Sequence, residues 1–487
     1  MMSSTSHSRL QHSPQRGYSF ALMLLIIAAV GIISVAWGEK IPINGGLGWD
    51  GRAYASMAQS LNLRAFDTYY FQRTLPSILV HFALVVSRQP LDDQHVILAF
   101  GLLNLGAMLL ACILYRGIAD ELGLENVGFW FGFVAIFVNF ASLKMTWYYP
   151  VLTDATAAAL ALAMLLFYLR RQTSLLLFVA LLGAYTWPTL FDVGIFLLAF
   201  PREPIVEKDE GTSKWLAAGL TAMVCAVAVL HFYVLHRPVE EAVPEPIRVA
   251  IPLSLILSAL YVYSGSAVLL KGINWRTWMG SLTLGGAAIA AAFVVLVKTP
   301  VYLWANHSLR AVSTLGTIDH TVSHSVAKPL VFMVSHPMYF GPMFLLLVFC
   351  FKPFSRMIRG YGIGLVLVIW MGVFTSSNPE SRQSIPSYVI AGPFLGLLVD
   401  KLALPGRFLW LTVALAMAST RVWMRMNLPA YDHFQYQRFP FQNYYMMLGP
   451  WMSNQMYLLQ GAIVLVAAAL LFVCLLSTGR NLDSSVH

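Results

Sequence analysis

Long apolar runs separated by short polar stretches organise the chain. From Tyr18 to Leu476 they recur at roughly 15–22 residues, close to the ~20 a helix needs to cross a bilayer. They cover Tyr18–Trp37, His95–Tyr115, Val127–Leu143, a run from Asp154 to Arg170-Arg171, a shorter pair hinged at Trp187-Pro188, Trp215–Leu235 and Ile247–Leu270. Later runs end near Lys298, at Lys352, at Thr375, at Asp400-Lys401 and at Arg421, and the last spans Met456–Leu476. In lipid every backbone polar group needs an internal partner, which a long apolar run supplies as a helix. The short alternating segments of a membrane barrel are absent. The pattern predicts an all-α polytopic membrane protein with roughly 12–14 transmembrane helices.

Two segments break the rhythm. Arg52–Leu63 places Tyr54, Met57, Ala58 and Leu61 at helical spacing, which predicts a short amphipathic helix. Leu75–Val86 is apolar but short, and fits an interfacial or re-entrant helix better than a span. Residues 1–17 form a polar, disordered tail, 18–476 a single multi-pass domain and 477–487 a short polar tail. The first run reads as an uncleaved helix or as a signal peptide, since positive residues precede it.

Composition sharpens the class. Of 487 residues 58% are hydrophobic and 11% charged, against about 25% charged in soluble domains; the mean hydropathy is +0.68. The net charge of +9 comes without any Lys/Arg run, so it points to lipid headgroups and not to nucleic acid. Cys112, Cys225, Cys350 and Cys474 all fall in apolar runs and read as small hydrophobes. Arg116, Arg170-Arg171, Lys271/Arg276, Lys352/Arg356/Arg359 and Lys401/Arg407 would share the side of the N-terminus, making it cytoplasmic in an inner (plasma) membrane. The long polar loops 38–93, 298–328 and 421–455 would then lie together outside, with the Pro379–Pro386 loop.

These loops hold the candidates for chemistry. Asp50, between Trp49 and Gly51, reads either as a general base walled by aromatics or as a cap of the following helix. Arg73 offers a fork for a phosphate, or a side chain snorkelling to headgroups. Asp67 is a partner for Arg64 or Arg73. Asp154 and Asp192 sit near the ends of apolar runs; Asp154 would face the side of Asp50 as a second acid, or cap its helix. Glu380 and Arg382 form a compact charged pair able to bind an anion. His320 and His324, with Asp319 adjacent, are spaced for a metal pair, but no zinc-protease pattern accompanies them. No P-loop, nucleophile elbow or dinucleotide fingerprint occurs.

Gly48-Trp49-Asp50-Gly51-Arg52-Ala53-Tyr54, with Met57-Ala58 and then Asp67 and Tyr70-Phe71-Gln72-Arg73-Thr74-Leu75-Pro76, resembles the first external loop of bacterial membrane proteins assigned to the GT-C glycosyltransferase superfamily. The motif match covers about thirty residues and the layout match, looser, most of the chain. The resemblance implies an inverting transfer of a sugar from a polyprenyl-phosphate donor to a glycan, lipid or protein acceptor on the extracytoplasmic face. Asp50 would be the general base and Asp154 the second acid. Arg52, Tyr54, Asp67, Tyr70, Gln72, Arg73, Glu380 and Arg382 would bind substrate, with Arg73 and Arg382 gripping the donor phosphate. Asp50 is followed by Gly51 where many relatives pair two acids, so no cofactor is expected and no divalent metal is supported. The rival readings are a lipid-linked oligosaccharide flippase or other transporter, a polysaccharide polymerase or ligase, and a non-catalytic assembly subunit.

Overall fold

The computed structural model of the chain describes residues 14–205, 211–230, 243, 245–273, 275–309, 314–427 and 449–477. The first thirteen residues, 206–210 of the charged loop, most of the 421–455 loop and the C-terminal tail lie outside the described residues.

Helices make up the fold. The N-terminal part runs α1 (Pro14–Trp37), α2 (Asp50–Ser60), α3 (Thr68–Phe71), α4 (Thr74–Val86), α5 (Asp93–Leu122), α6 (Asn126–Phe137), α7 (Thr146–Tyr148) and α8 (Asp154–Leu169). The middle comprises α9 (Thr173–Ala184), α10 (Pro188–Ala199), α11 (Gly211–Val229), α12 (Ile251–Leu269), α13 (Trp275–Ser281), α14 (Leu284–Trp304) and α15 (Thr314–Ser325). The remainder is α16 (Val331–Phe340), α17 (Pro342–Phe349), α18 (Phe351–Arg359), α19 (Ile363–Thr375), α20 (Ile385–Lys401), α21 (Gly406–Thr420) and α22 (Asn454–Leu476).

The polytopic all-α class is as expected, but the spans are less uniform. Among the described residues five helices are long and apolar enough to cross a bilayer, near α1, α5, α12, α14 and α22, and six if the bent pair at α6–α7 counts as one. The other apolar helices are shorter, and the sequence shows why. Pro188 starts α10 after a Trp187 hinge, and Gly341, at φ +80°, separates α16 from α17 ahead of Pro342. What reads as one run ending at Lys352 is therefore two short helices, with Lys352 already in the first turn of α18. The α6–α7 pair bends by 54° because Asn139 caps both sides of the break: its Nδ2 donates to the Ala135 and Ile136 carbonyls and its Oδ1 accepts from Ser142 N–H. The run expected to stop near Lys298 continues to Trp304 through Pro300.

Two buried helices hold the framework of the site. α6 and α20 cross with backbones almost touching: a Cβ on Gly396 would lie 2.3 Å from the Gly128 carbonyl oxygen, and one on Gly392 2.5 Å from Ile136. Gly128/Gly132 and Gly392/Gly396 thus face one another as two small-xxx-small stripes. Asp400 fastens the end of this seam, its carboxylate accepting from Glu125 N–H and Gly128 N–H at 2.7 Å each and so capping α6 from another helix. α20 begins three residues after Arg382, so this seam fixes where Arg382 can reach.

We expect Gly396→Val to lower the melting temperature of the detergent-solubilised protein by several degrees, because α6 and α20 must separate. Gly406→Ala, with nothing within 4 Å of its added Cβ, should leave melting unchanged; equal effects of the two would contradict the seam.

Candidate functional site

The first loop is docked onto the body through the 146–150 stretch. Asn104, buried in α5, donates from Nδ2 to the Thr146 and Pro150 carbonyls at 3.2 and 2.9 Å, setting the course of 146–150. Tyr149 in that stretch accepts Gly51 N–H at 3.0 Å, and Ile41 N–H bonds the Tyr148 carbonyl. Gly48 packs against the Tyr149 ring with φ +70°; a Cβ there would sit 2.2 Å from Cζ. Only glycine fits this turn. The loop thereby presents Asp50 at the first turn of α2, with Gly51 against Val151 just ahead of α8.

Three of the sequence-predicted residues meet there. Arg382 lies in a 3-10 turn, 381–384, before α20, and its guanidinium forms a two-point pair with Asp154: Nε to Oδ2 at 3.0 Å and Nη2 to Oδ1 at 3.2 Å. Its Nη1 reaches Asp50 Oδ2 at 3.4 Å. Arg382 and Asp154 are buried, while the Asp50 side chain keeps 27% exposure. Burial on its own would lower the Arg382 pKa, but Asp154 and then Asp50 outweigh it and hold the group firmly charged. Asp50 is not the cap of α2: Trp49 holds that position and makes no side-chain cap bond.

Arg73 forms the second cation. It is buried, its Nη1 donates to Tyr54 Oη at 3.0 Å, and its guanidinium carbon lies over the Tyr69 ring at 4.0 Å and the Trp187 ring at 4.2 Å. Among the described residues its Nε has no partner and Arg73 makes no ion pair. The Trp187 ring also faces Arg382 at 5.5 Å, so one indole is shared by two cations. Leu75 N–H bonds the Tyr185 carbonyl and ties α4 to this Trp187 hinge. Burial pushes the Tyr69 phenol up to about 12, and Tyr54 and Tyr70 also rise through burial, so these hydroxyls stay neutral donors.

Other expected residues sit elsewhere. Asp67 caps α3, accepting Tyr70 N–H at 3.0 Å, and among the described residues it pairs with neither Arg64 nor Arg73. Arg52 is exposed on the outer face of α2. Gln72 ends α3 half-buried, and Tyr70 stands edge-on to Tyr54 and Tyr69 at 5.8 and 5.0 Å. Glu380 does not form the expected compact pair with Arg382. It accepts from Gln383 at 3.2 Å instead, because the inward turn delivers Arg382 to two better-placed carboxylates. His320 and His324 stack at 3.8 Å in α15, and His320 Nδ1 meets Asn378 Nδ2 at 3.3 Å. Among the described residues no group of three His, Cys, Asp or Glu is arranged for a metal. Trp187, Tyr69 and Tyr149 were not singled out from the sequence; the Trp-Pro hinge between two short apolar segments was the available sign of Trp187.

Two small cavities flank the ion pairs. One of about 30 Å³ is lined by Asn139, Asp154, Ile385 and Tyr388; one of about 20 Å³ by Met145, Tyr339, Glu380 and Arg382. A larger apolar cavity of about 580 Å³ begins at Ser376, Ser384 and Ser387, beside the Arg382 turn, and runs between α12, α17 and α19 to Lys352. Among the described residues the hydroxyls of Ser384 and Ser387 have no hydrogen-bond partner.

Fold and site together define a multi-pass, all-α membrane protein with a buried acid–arginine cluster beneath its first loop. No family model and no curated protein matches the chain. Its arrangement is similar to that of the Archaeoglobus fulgidus oligosaccharyltransferase in its apo crystal form, with 14% identity and a TM-score of 0.43 over 89% of this chain and 60% of that one. It is also similar to the archaeal oligosaccharyltransferase AglB from the same organism in complex with an inhibitory peptide and a dolichol-phosphate, again at 14% identity and TM-score 0.43, over 94% and 56%. The chain therefore spans somewhat more than half the length of these structures.

Removing Asp154 leaves Arg382 buried with a single, longer ion pair. We expect Asp154→Ala to cost about 3–5 kcal/mol of stability, and Arg382→Met added to it to recover part of the loss. Strict additivity of the two in thermal unfolding would show that the pair is not coupled.

Proposed function

We propose that the protein is a membrane glycosyltransferase that moves a sugar from a polyprenyl-phosphate donor to an acceptor hydroxyl with inversion. What carries the reading is the shared Arg382: one guanidinium holds Asp154 through both carboxylate oxygens and touches Asp50 through one. Asp50 is the only member of the trio with substantial exposure and has a carboxylate oxygen without a hydrogen-bond partner among the described residues. Asp50 is the general base. Asp154, both oxygens engaged, serves to fix Arg382 more than to take a proton itself.

In this reading the acceptor oxygen attacks the anomeric carbon, its proton passes to Asp50, and the carbon–oxygen bond to phosphate breaks. The phosphate leaves with the bonding electrons and needs no acid, since it is already a stable anion; cationic stabilisation suffices. Arg73 suits that task because its charge is buried without a carboxylate, and Arg382 adds its remaining N–H groups from across Trp187. A prenyl tail would lie in the 580 Å³ apolar cavity, whose mouth at Ser384 and Ser387 adjoins the Arg382 turn. The cluster would face the extracytoplasmic side, as the Lys/Arg pattern of the short loops suggests. A transporter would place such charges along a pathway through the spans; here they gather at one end, under a loop.

Asp50→Asn should reduce sugar transfer by purified, reconstituted protein at least a hundredfold while leaving folding intact. Near-normal transfer by that variant would remove Asp50 as the base.

A further inference from the structure

The Arg382 turn is held from behind by a residue with no place in the reaction so far. His336 is fully buried on α16, and its two ring nitrogens meet the two ends of the segment 376–381, which leads into Arg382. Nε2 lies 2.7 Å from the Ser376 carbonyl oxygen, and Nδ1 lies 2.9 Å from Ser381 Oγ. A carbonyl only accepts, so Nε2 carries the proton. Nδ1 is then the acceptor, and the Ser381 hydroxyl donates to it. One neutral tautomer satisfies both bonds.

We propose that His336 is a positioning residue for Arg382. It closes the loop 376–381 into a fixed span and so sets the residue adjacent to Arg382 at the height where the guanidinium reaches Asp50 and Asp154 together. The surroundings leave it little freedom: Phe344 and Phe340 pack on the ring at centroid distances of 5.0 and 6.0 Å, and Pro337 follows it in the helix. The staple also meets the apolar cavity. Ser376 Oγ donates to the Val373 carbonyl at 3.1 Å, which leaves it to accept from Tyr261 Oη at 2.7 Å, and Tyr261 lines that cavity. The wall proposed to hold the prenyl tail and the turn proposed to hold its phosphate are thus joined through Ser376, His336 and Ser381. A serine–histidine pair is also a nucleophile arrangement, but both groups are buried and the histidine N–H is held by the Ser376 carbonyl.

The inference rests on Arg382 as a phosphate ligand, and the test separates the two. Binding of farnesyl phosphate to the purified full-length protein in detergent is measured for wild type, Arg382→Ala, His336→Phe, His336→Gln and Ser381→Ala. His336→Phe and Ser381→Ala should each weaken binding about tenfold, the scale of a lost buried hydrogen bond, and His336→Gln, which can donate and accept at once, should recover most of the loss. In an Arg382→Ala background neither His336→Phe nor Ser381→Ala should have a further effect, whereas a purely structural role would lower affinity there as well. Wild-type affinity in both single variants, or losses that persist in the Arg382→Ala background, would overturn the positioning role. Binding indifferent to Arg382→Ala would overturn the donor-site reading itself, and the inference with it. Ser381→Ala removes only a hydroxyl, so the test does not depend on His336→Phe folding well.

Discussion

A guanidinium buried among apolar helices needs partners that offset its lost hydration, and the structure gives Arg382 two carboxylates from distant parts of the chain. Asp154 opens α8, Asp50 opens α2, and Arg382 precedes α20. The attraction in this environment is large, but so is the desolvation penalty, and such a pair tolerates little error in placement. Much of the architecture follows from that demand. The glycine seam between α6 and α20 fixes one partner, Asn104 and the 146–150 stretch fix the next, and the Gly48 turn against Tyr149 brings the third.

The cluster has one cation with carboxylates and one without. Arg382 is neutralised by its partners, whereas Arg73 is held by aromatic faces and a phenol, which can retain a cation without cancelling it. Trp187 lies against both. A site that sets an arginine with no carboxylate of its own beside a partly exposed aspartate is suited to receive an anion on one side and a proton on the other. The apolar cavity starting at the same turn extends this division, with serine hydroxyls at its near end and apolar side chains within.

Much of this was legible in the sequence. The all-helical membrane class follows from run length and the scarcity of charge. Asp50, Arg73, Asp154 and Arg382 stood out because acids and arginines are costly beside apolar spans. Their geometry was not readable. Glu380 is closer to Arg382 along the chain than Asp154 is, yet the inward turn at 381–384 decides the partner. Asp67 had the same composition cue as Asp50 but is used locally as a helix cap. Span lengths were misjudged where Gly341, Pro342 and the Asn139 break interrupt runs whose hydropathy is continuous, since backbone geometry leaves little trace in hydropathy. His336 escaped notice because a lone histidine in an apolar helix carries no spacing pattern.

The central claim is that the acid–arginine cluster receives the phosphate of a lipid-linked donor. Native mass spectrometry of the purified protein with added polyprenyl phosphate tests it most directly. The wild type should carry one bound polyprenyl phosphate, lost on Arg73→Ala and not replaced by the uncharged polyprenol. Binding of the alcohol as tight as that of the phosphate, or retention of the phosphate by Arg73→Ala, would contradict it.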